Sequence, residues 1–232
     1  DYMEINFNGT LNLAKQASEL GVKRFIFLST IKVLGESTTP GNSFNYSDKA
    51  NALDAYSISK KKAEEGLMNI AKETDLEVVI IRPPLVYGPG VKANFLKLMN
   101  LVRYNLPLPL RSIDNKRSFV SLNNLLDLIL TCVEHPEAKN RIFLVSDDYD
   151  VSTSELLLTM AKVLNRKALI FPFSPYLLKK IGKIVNKEEM ISRLCDNLQV
   201  DIQYTKEVLG WSPKISFEEG IKLCTSSLKE TN

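Results

Sequence analysis

The sequence is poor in the residues that build disulfide scaffolds and metal centres. Its 232 residues include only three cysteines, Cys132, Cys195 and Cys224, with no two at short spacing. A disulfide framework or a cysteine metal site is therefore not expected, and a reducing compartment such as the cytoplasm is favoured. Its one histidine, His135, lies in the polar stretch Glu134-His135-Pro136-Glu137 and reads as a solvated turn residue. No metal site and no histidine-based triad is read from it. No apolar run reaches the ~18 residues that a membrane span needs, and no secretory pattern opens the chain, so no membrane partner is expected. The net charge is only +3. Its densest basic run, Lys60-Lys61-Lys62, fits a solvated helix face, and no nucleic-acid partner is expected. Methionine is also absent from position 1, where helical spacing has already begun; further residues upstream are expected.

What is present is globular material with enough chain for a large core: 44% hydrophobic and 25% charged. Residues 1–20 carry Ile5, Leu11, Leu13, Ala14 and Ala17 at helical spacing, and Gly21 supplies the stop. Residues 22–28 form an apolar run, read as a buried parallel strand ending at Ser29-Thr30. A Gly-, Ser- and Asn-rich loop covers 35–51, a helix follows over 54–74, and residues 76–82 make a second strand that Pro83-Pro84 stops. Helix, strand, helix, strand with short links predicts a doubly wound α/β parallel sheet. Helices are predicted over 94–104, 121–134, 172–186 and 188–195, with others from 152 and around Gly210-Trp211-Ser212-Pro213. Strands are predicted at 119–120 and 142–146, and the two prolines of 106–110 make that segment extended.

One helix carries the chemistry. Tyr56 and Lys60 are four residues apart, hence one turn apart on a shared face. An ammonium beside a phenol favours the phenolate, so the Tyr56 pKa is expected below its ordinary ~10. In open α/β sheets ligands sit beyond the carboxyl ends of the strands. Thr30, Pro83-Pro84 and the start of the Tyr56 helix all fall on that rim.

With Asn6-Phe7-Asn8-Gly9-Thr10, Phe25-Ile26-Phe27-Leu28-Ser29-Thr30, Tyr56-x-x-x-Lys60, Arg82-Pro83-Pro84-Leu85-Val86-Tyr87-Gly88-Pro89-Gly90, Asn115-Lys116-Arg117-Ser118-Phe119-Val120 and Leu209-Gly210-Trp211-Ser212-Pro213 aligned, the chain resembles the extended short-chain dehydrogenase/reductase family. The closer resemblance is to its nucleotide-sugar branch of UDP-glucose 4-epimerases and 4-keto-sugar reductases, which supply polysaccharide precursors. The resemblance implies NAD (or NADP) as cofactor, a UDP-sugar as substrate and a homodimer as assembly. It implies a Rossmann-like domain whose N-terminal half is absent over residues 1–90, and a smaller mixed α/β substrate domain over 91–232, with segments around 115–146 returning to the core sheet. By the same resemblance Thr30, Tyr56 and Lys60 are catalytic, with Ser29 the rival to Thr30. Asn6, Tyr56, Lys60, Pro83 and Pro84 meet the cofactor, and Asn94, Leu108, Pro109, Arg117 and Arg193 meet the nucleotide. The match of Gly88–Ala93 to a phosphate-binding glycine motif is rejected, because Pro89 lacks the N–H such a cradle uses. Leu85 stands where many epimerases carry an asparagine, which favours a reductase; a dehydratase, or a binding module without a cofactor, is the alternative.

Overall fold

A computed structural model describes residues 1–91 and 93–229. The chain opens with a wide π-helical segment (Met3–Gly9) that runs into α1 (Thr10–Glu19), followed by β1 (Arg24–Leu28), α2 (Ala55–Glu73) and β2 (Glu77–Arg82). Next come β3 (Leu85–Tyr87), α3 (Ala93–Arg103), β4 (Phe119–Ser121), α4 (Leu122–Glu134) and β5 (Arg141–Leu144). The last five helices are α5 (Thr153–Val163), α6 (Pro175–Ile184), α7 (Glu188–Cys195), α8 (Gln203–Leu209) and α9 (Phe217–Lys229).

β1, β2 and β5 form a parallel sheet in the order β1-β2-β5, with Phe25 opposite Val78 and Ile80 opposite Ile142. Side chains alternate across a strand, so a strand covered on both faces must be apolar throughout. β2 meets that condition. Val78 and Ile80 pack with Ala14, Ala63 and Leu67 of α1 and α2, while Val79 and Ile81 pack with Leu125 and Leu128 of α4 and with Trp211. This is the doubly wound α/β arrangement expected.

α2 starts where its sequence says it should. Asp54 is the cap: its carboxylate accepts from the Ser57 amide at 2.6 Å, and the Ser57 hydroxyl accepts from the Asp54 amide at 3.2 Å. Two otherwise unpaired donors are satisfied reciprocally. That fixes Tyr56 in the first turn.

The second hydrophobic cluster gathers α3, α5, α6 and α9 around the short parallel pair β3–β4. At its centre the buried Tyr87 hydroxyl donates to Asp147 at 2.6 Å, and Asp147 also accepts from the Ser121 amide and the Asn124 side chain. A methyl group on Gly220 would lie 2.5 Å from the Tyr87 oxygen. Gly220→Ala is therefore expected to destabilise the fold by about 1–3 kcal/mol through overpacking, read as a lowered urea midpoint. An unchanged midpoint would mean that Tyr87 has room to retreat.

The structure departs from the sequence reading in three places. β3 follows the two prolines directly where no strand was expected. The helix expected from 172 starts at Pro175. Residues 115–146 divide between the two sheets: β4 joins β3 and only β5 returns to β2.

Candidate active site

The carboxyl ends of β1 and β2 are stitched together by backbone. The Ser29 amide donates to Ile81 O at 2.8 Å, and the Ile31 amide donates to Pro83 O at 2.9 Å. Thr30 and Pro83 are thereby neighbours on the rim, the first half-buried and the second buried. The Thr30 hydroxyl accepts from the Lys32 amide at 3.3 Å, capping a 3-10 turn (Ile31–Val33). Ser29 is 5% exposed, and its hydroxyl has no hydrogen-bond partner among the described residues.

Tyr56 is half-buried in the first turn of α2, with its ring edge-on to Tyr2 at 5.7 Å between centroids. The Lys60 ammonium donates to the Leu28 carbonyl at 2.9 Å and sits 4.5 Å over the Phe27 ring. It thus ties the Tyr56 helix to the end of β1. Asn6 closes the set. Its amide donates to the Ser59 hydroxyl at 3.1 Å, and Ser59 donates to the Tyr56 carbonyl at 2.7 Å.

One electrostatic expectation is overturned. The Tyr56 pKa lies above its ordinary value, because burial penalises the phenolate and the Asp54 carboxylate repels it; Tyr2 adds to the rise. The Lys60 ammonium is bonded to the Leu28 carbonyl. The Lys32 ammonium opposes the rise. Lys32 is bonded to Asp54 at 2.7 Å and to Glu36, four residues on, at 2.8 Å; sequence spacing did not suggest the first contact. Lys60 itself is shifted down by burial, with Glu64 opposing.

A cavity of about 360 Å³ opens beside this rim. Leu85, Asn94, Leu108, Pro109, Arg117 and Arg193 all line it, in walls that are otherwise mainly aliphatic and aromatic. Thr30, Tyr56 and Lys60 do not; Leu85, directly after Pro83-Pro84, connects the two regions. The Arg117 side chain donates to Asp196 O at 2.9 Å. Its backbone pairs with Val151 and Leu198, so three distant segments meet there. Burial pushes the Arg117 guanidinium down to about 10; the Asp196 carboxylate opposes the shift and Arg193 reinforces it. Arg193 is exposed and paired with Glu189 one turn earlier.

The rejected glycine motif crosses Lys92, which lies outside the described residues. Among the described residues, no cluster of His, Cys, Asp or Glu could hold a metal ion, and no helix is long and apolar enough to cross a membrane. None of the three cysteines is in a disulfide.

Residues 1–146 match the model of the NAD dependent epimerase/dehydratase family. The whole chain is 50% identical to a UDP-glucose 4-epimerase of Vibrio cholerae and spans 71% of that protein. A UDP-glucose 4-epimerase of Thermotoga maritima, solved with UDP-glucose, superposes with a TM-score of 0.77 at 21% identity, over 99% of this chain and 71% of that one. The Bordetella bronchiseptica enzyme WbmG, solved with NAD and UDP, gives 0.75 at 19% identity, over 97% of this chain and 65% of that one.

Proposed function

Because the chain belongs to the NAD dependent epimerase/dehydratase family, we propose that it carries the catalytic rim and nucleotide pocket of an NAD(P)-dependent UDP-hexose 4-epimerase. The observation that carries this reading is the Lys60–Leu28 bond, which holds the Tyr56 helix against the strand end that presents Thr30. Of the activities open from sequence, epimerisation rather than the reduction that Leu85 favoured has the support of the 50% identical Vibrio protein. Dehydration is disfavoured because the dehydratases that the sequence resembles carry acidic residues directly after this threonine, whereas Ile31 and Lys32 follow Thr30.

The donors present fit the nicotinamide-ribose end of the cofactor. Tyr56 and Lys60 offer a phenol and an ammonium at the rim, and the unpartnered Ser29 hydroxyl is a further polar group there. When bound, the nicotinamide takes up and returns the hydride. Tyr56 removes the proton of the sugar 4-hydroxyl and later gives it back, acting as general base and then acid. Thr30 holds that oxygen within hydrogen-bond reach of the phenol. Lys60 orients the ribose hydroxyls, Asn6 braces the helix through Ser59, and Pro83 and Pro84 form a dry wall. Arg117, with Arg193 and Asn94, grips the diphosphate; a planar, permanently charged guanidinium suits that task. Leu108 and Pro109 flank the uracil.

The test is to incubate the full-length enzyme with NAD and a panel of UDP-hexoses, following nicotinamide absorbance and product stereochemistry. Conversion between UDP-glucose and UDP-galactose without net reduced nicotinamide is expected. Net redox turnover would instead identify a reductase or dehydrogenase, and no turnover on any UDP-hexose would refute the assignment.

A further inference from the structure

We propose that the exposed face of α6 docks on a lipid bilayer whose surface carries anionic headgroups. The helix lies in that surface and does not cross it.

The first observation is a charge asymmetry. Between Glu155 and Glu188 there are seven lysines and arginines and no aspartate or glutamate, in a chain whose net charge is only +3. The remainder of the chain is therefore net negative, and the positive excess comes from one stretch. α6 (Pro175–Ile184) lies within it. A segment of one sign attracts a surface of the other.

The second observation is how α6 divides its faces. Its inner stripe is Leu178 and Gly182, four residues apart and both buried. A methyl group on Gly182 would lie 2.7 Å from Ile191 of α7, so the two helices approach closely there. Leu178 and Ile191 also line the cavity. Leu177, Ile181 and Ile184 stand at i, i+4 and i+7 on a different face, and they are 46%, 48% and 80% exposed. Val185 continues this ridge and is exposed as well. A helix of a water-soluble domain ordinarily keeps its apolar stripe for the core; α6 has a second one turned to solvent.

Lysines run beside the ridge. Lys180 and Lys183 are on α6 and Lys187 is in the turn before α7, all exposed. Lys180 lies 4.6 Å over the Tyr176 ring, and none of the three is in an ion pair among the described residues. Of the nearby acids, Asp196 is paired with Lys179 and Glu189 with Arg193. An apolar ridge flanked by free ammonium groups suits the bilayer interface. The apolar side chains enter the acyl boundary, and the lysines reach up to the phosphates. A second copy of the chain fits less well, because a two-fold contact sets the same patch against itself and brings lysine to lysine. The expectation of no membrane partner came from the lack of a spanning run, and a helix lying in the interface needs none.

The test is to sediment the full-length enzyme with vesicles of phosphatidylglycerol and phosphatidylethanolamine in equal parts, and with vesicles of phosphatidylcholine alone. Binding to the first and not the second is expected, and it should weaken as salt screens the charges. Lys180→Gln, Lys183→Gln and Lys187→Gln together should lower the partition coefficient by about 10²-fold, at about fivefold for each basic residue near an anionic surface. Ile181→Ser with Ile184→Ser should lower it by about tenfold or more through lost apolar burial. None of these residues lines the cavity, so turnover without vesicles should be unchanged in both variants. Leu177→Trp reads insertion directly: its emission should move to the blue when anionic vesicles are added, over a constant signal from the buried Trp211. Failure of the enzyme to sediment with anionic vesicles, or equal partition of wild type and the triple lysine variant, would overturn the proposal. So would loss of self-association in the double isoleucine variant with vesicle binding unaltered, which would give the face to a second copy.

Discussion

Tyr56→Phe is expected to lower turnover by about 10²–10⁴-fold, the range associated with a positioned acid or base, while leaving UDP affinity within about twofold, since additive sites without shared partners do not couple. The two effects separate because Tyr56 lies outside the cavity that contains Arg117 and Arg193. The fold should be spared as well: no hydrogen bond from the Tyr56 hydroxyl supports it among the described residues, and the ring that touches Tyr2 is retained. Steady-state rates and calorimetric titration with UDP check the two halves. A rate within threefold of wild type would remove Tyr56 from the chemistry.

The second large effect concerns stability. Arg82 and Glu64 make a two-pronged ion pair at 3.0 and 2.6 Å, with side chains only 6% and 4% exposed. Cutting one partner leaves a buried charge with nothing to offset it, which costs about 3–5 kcal/mol. Glu64→Ala should therefore lower Tm by roughly 6–20 °C at this chain length. The double change Glu64→Met with Arg82→Met should recover much of that loss, because an apolar pair of similar volume needs no compensation. The pair also anchors α2 to the end of β2, so the single variant should loosen Tyr56 relative to Pro83. A single variant with unchanged Tm would show that water reaches the pair.

The fold was legible where one physical condition dominated. β2 is an apolar run because both of its faces are covered, and α2 announces its start through Asp54 and Ser57. β3 was not legible: three residues after two prolines carry no periodicity, and their partner, β4, begins at Phe119. The site residues came into view mainly through resemblance, since Arg117 and Arg193 share a cavity only once α7 has folded against the β4 region. The direction of the Tyr56 shift was beyond sequence reading. Spacing puts Lys60 one turn away, but it does not show that Tyr56 is half-buried beside the Asp54 carboxylate, and burial and that charge together raise its pKa.

The crossing at Arg117 has a consequence for how the molecule comes into being. Its side chain is bonded to a carbonyl 79 positions further along, and its backbone also pairs with Val151. Links of such long sequence separation form after local ones, because the loop they close must first be gathered. The α1–β1–α2–β2 unit is built from local links, while the cavity beside Arg117 depends on these distant ones. The ends of β1 and β2 therefore need no residue beyond Pro83 to come together, whereas the cavity beside Arg117 is complete only when the segment near Asp196 has reached it.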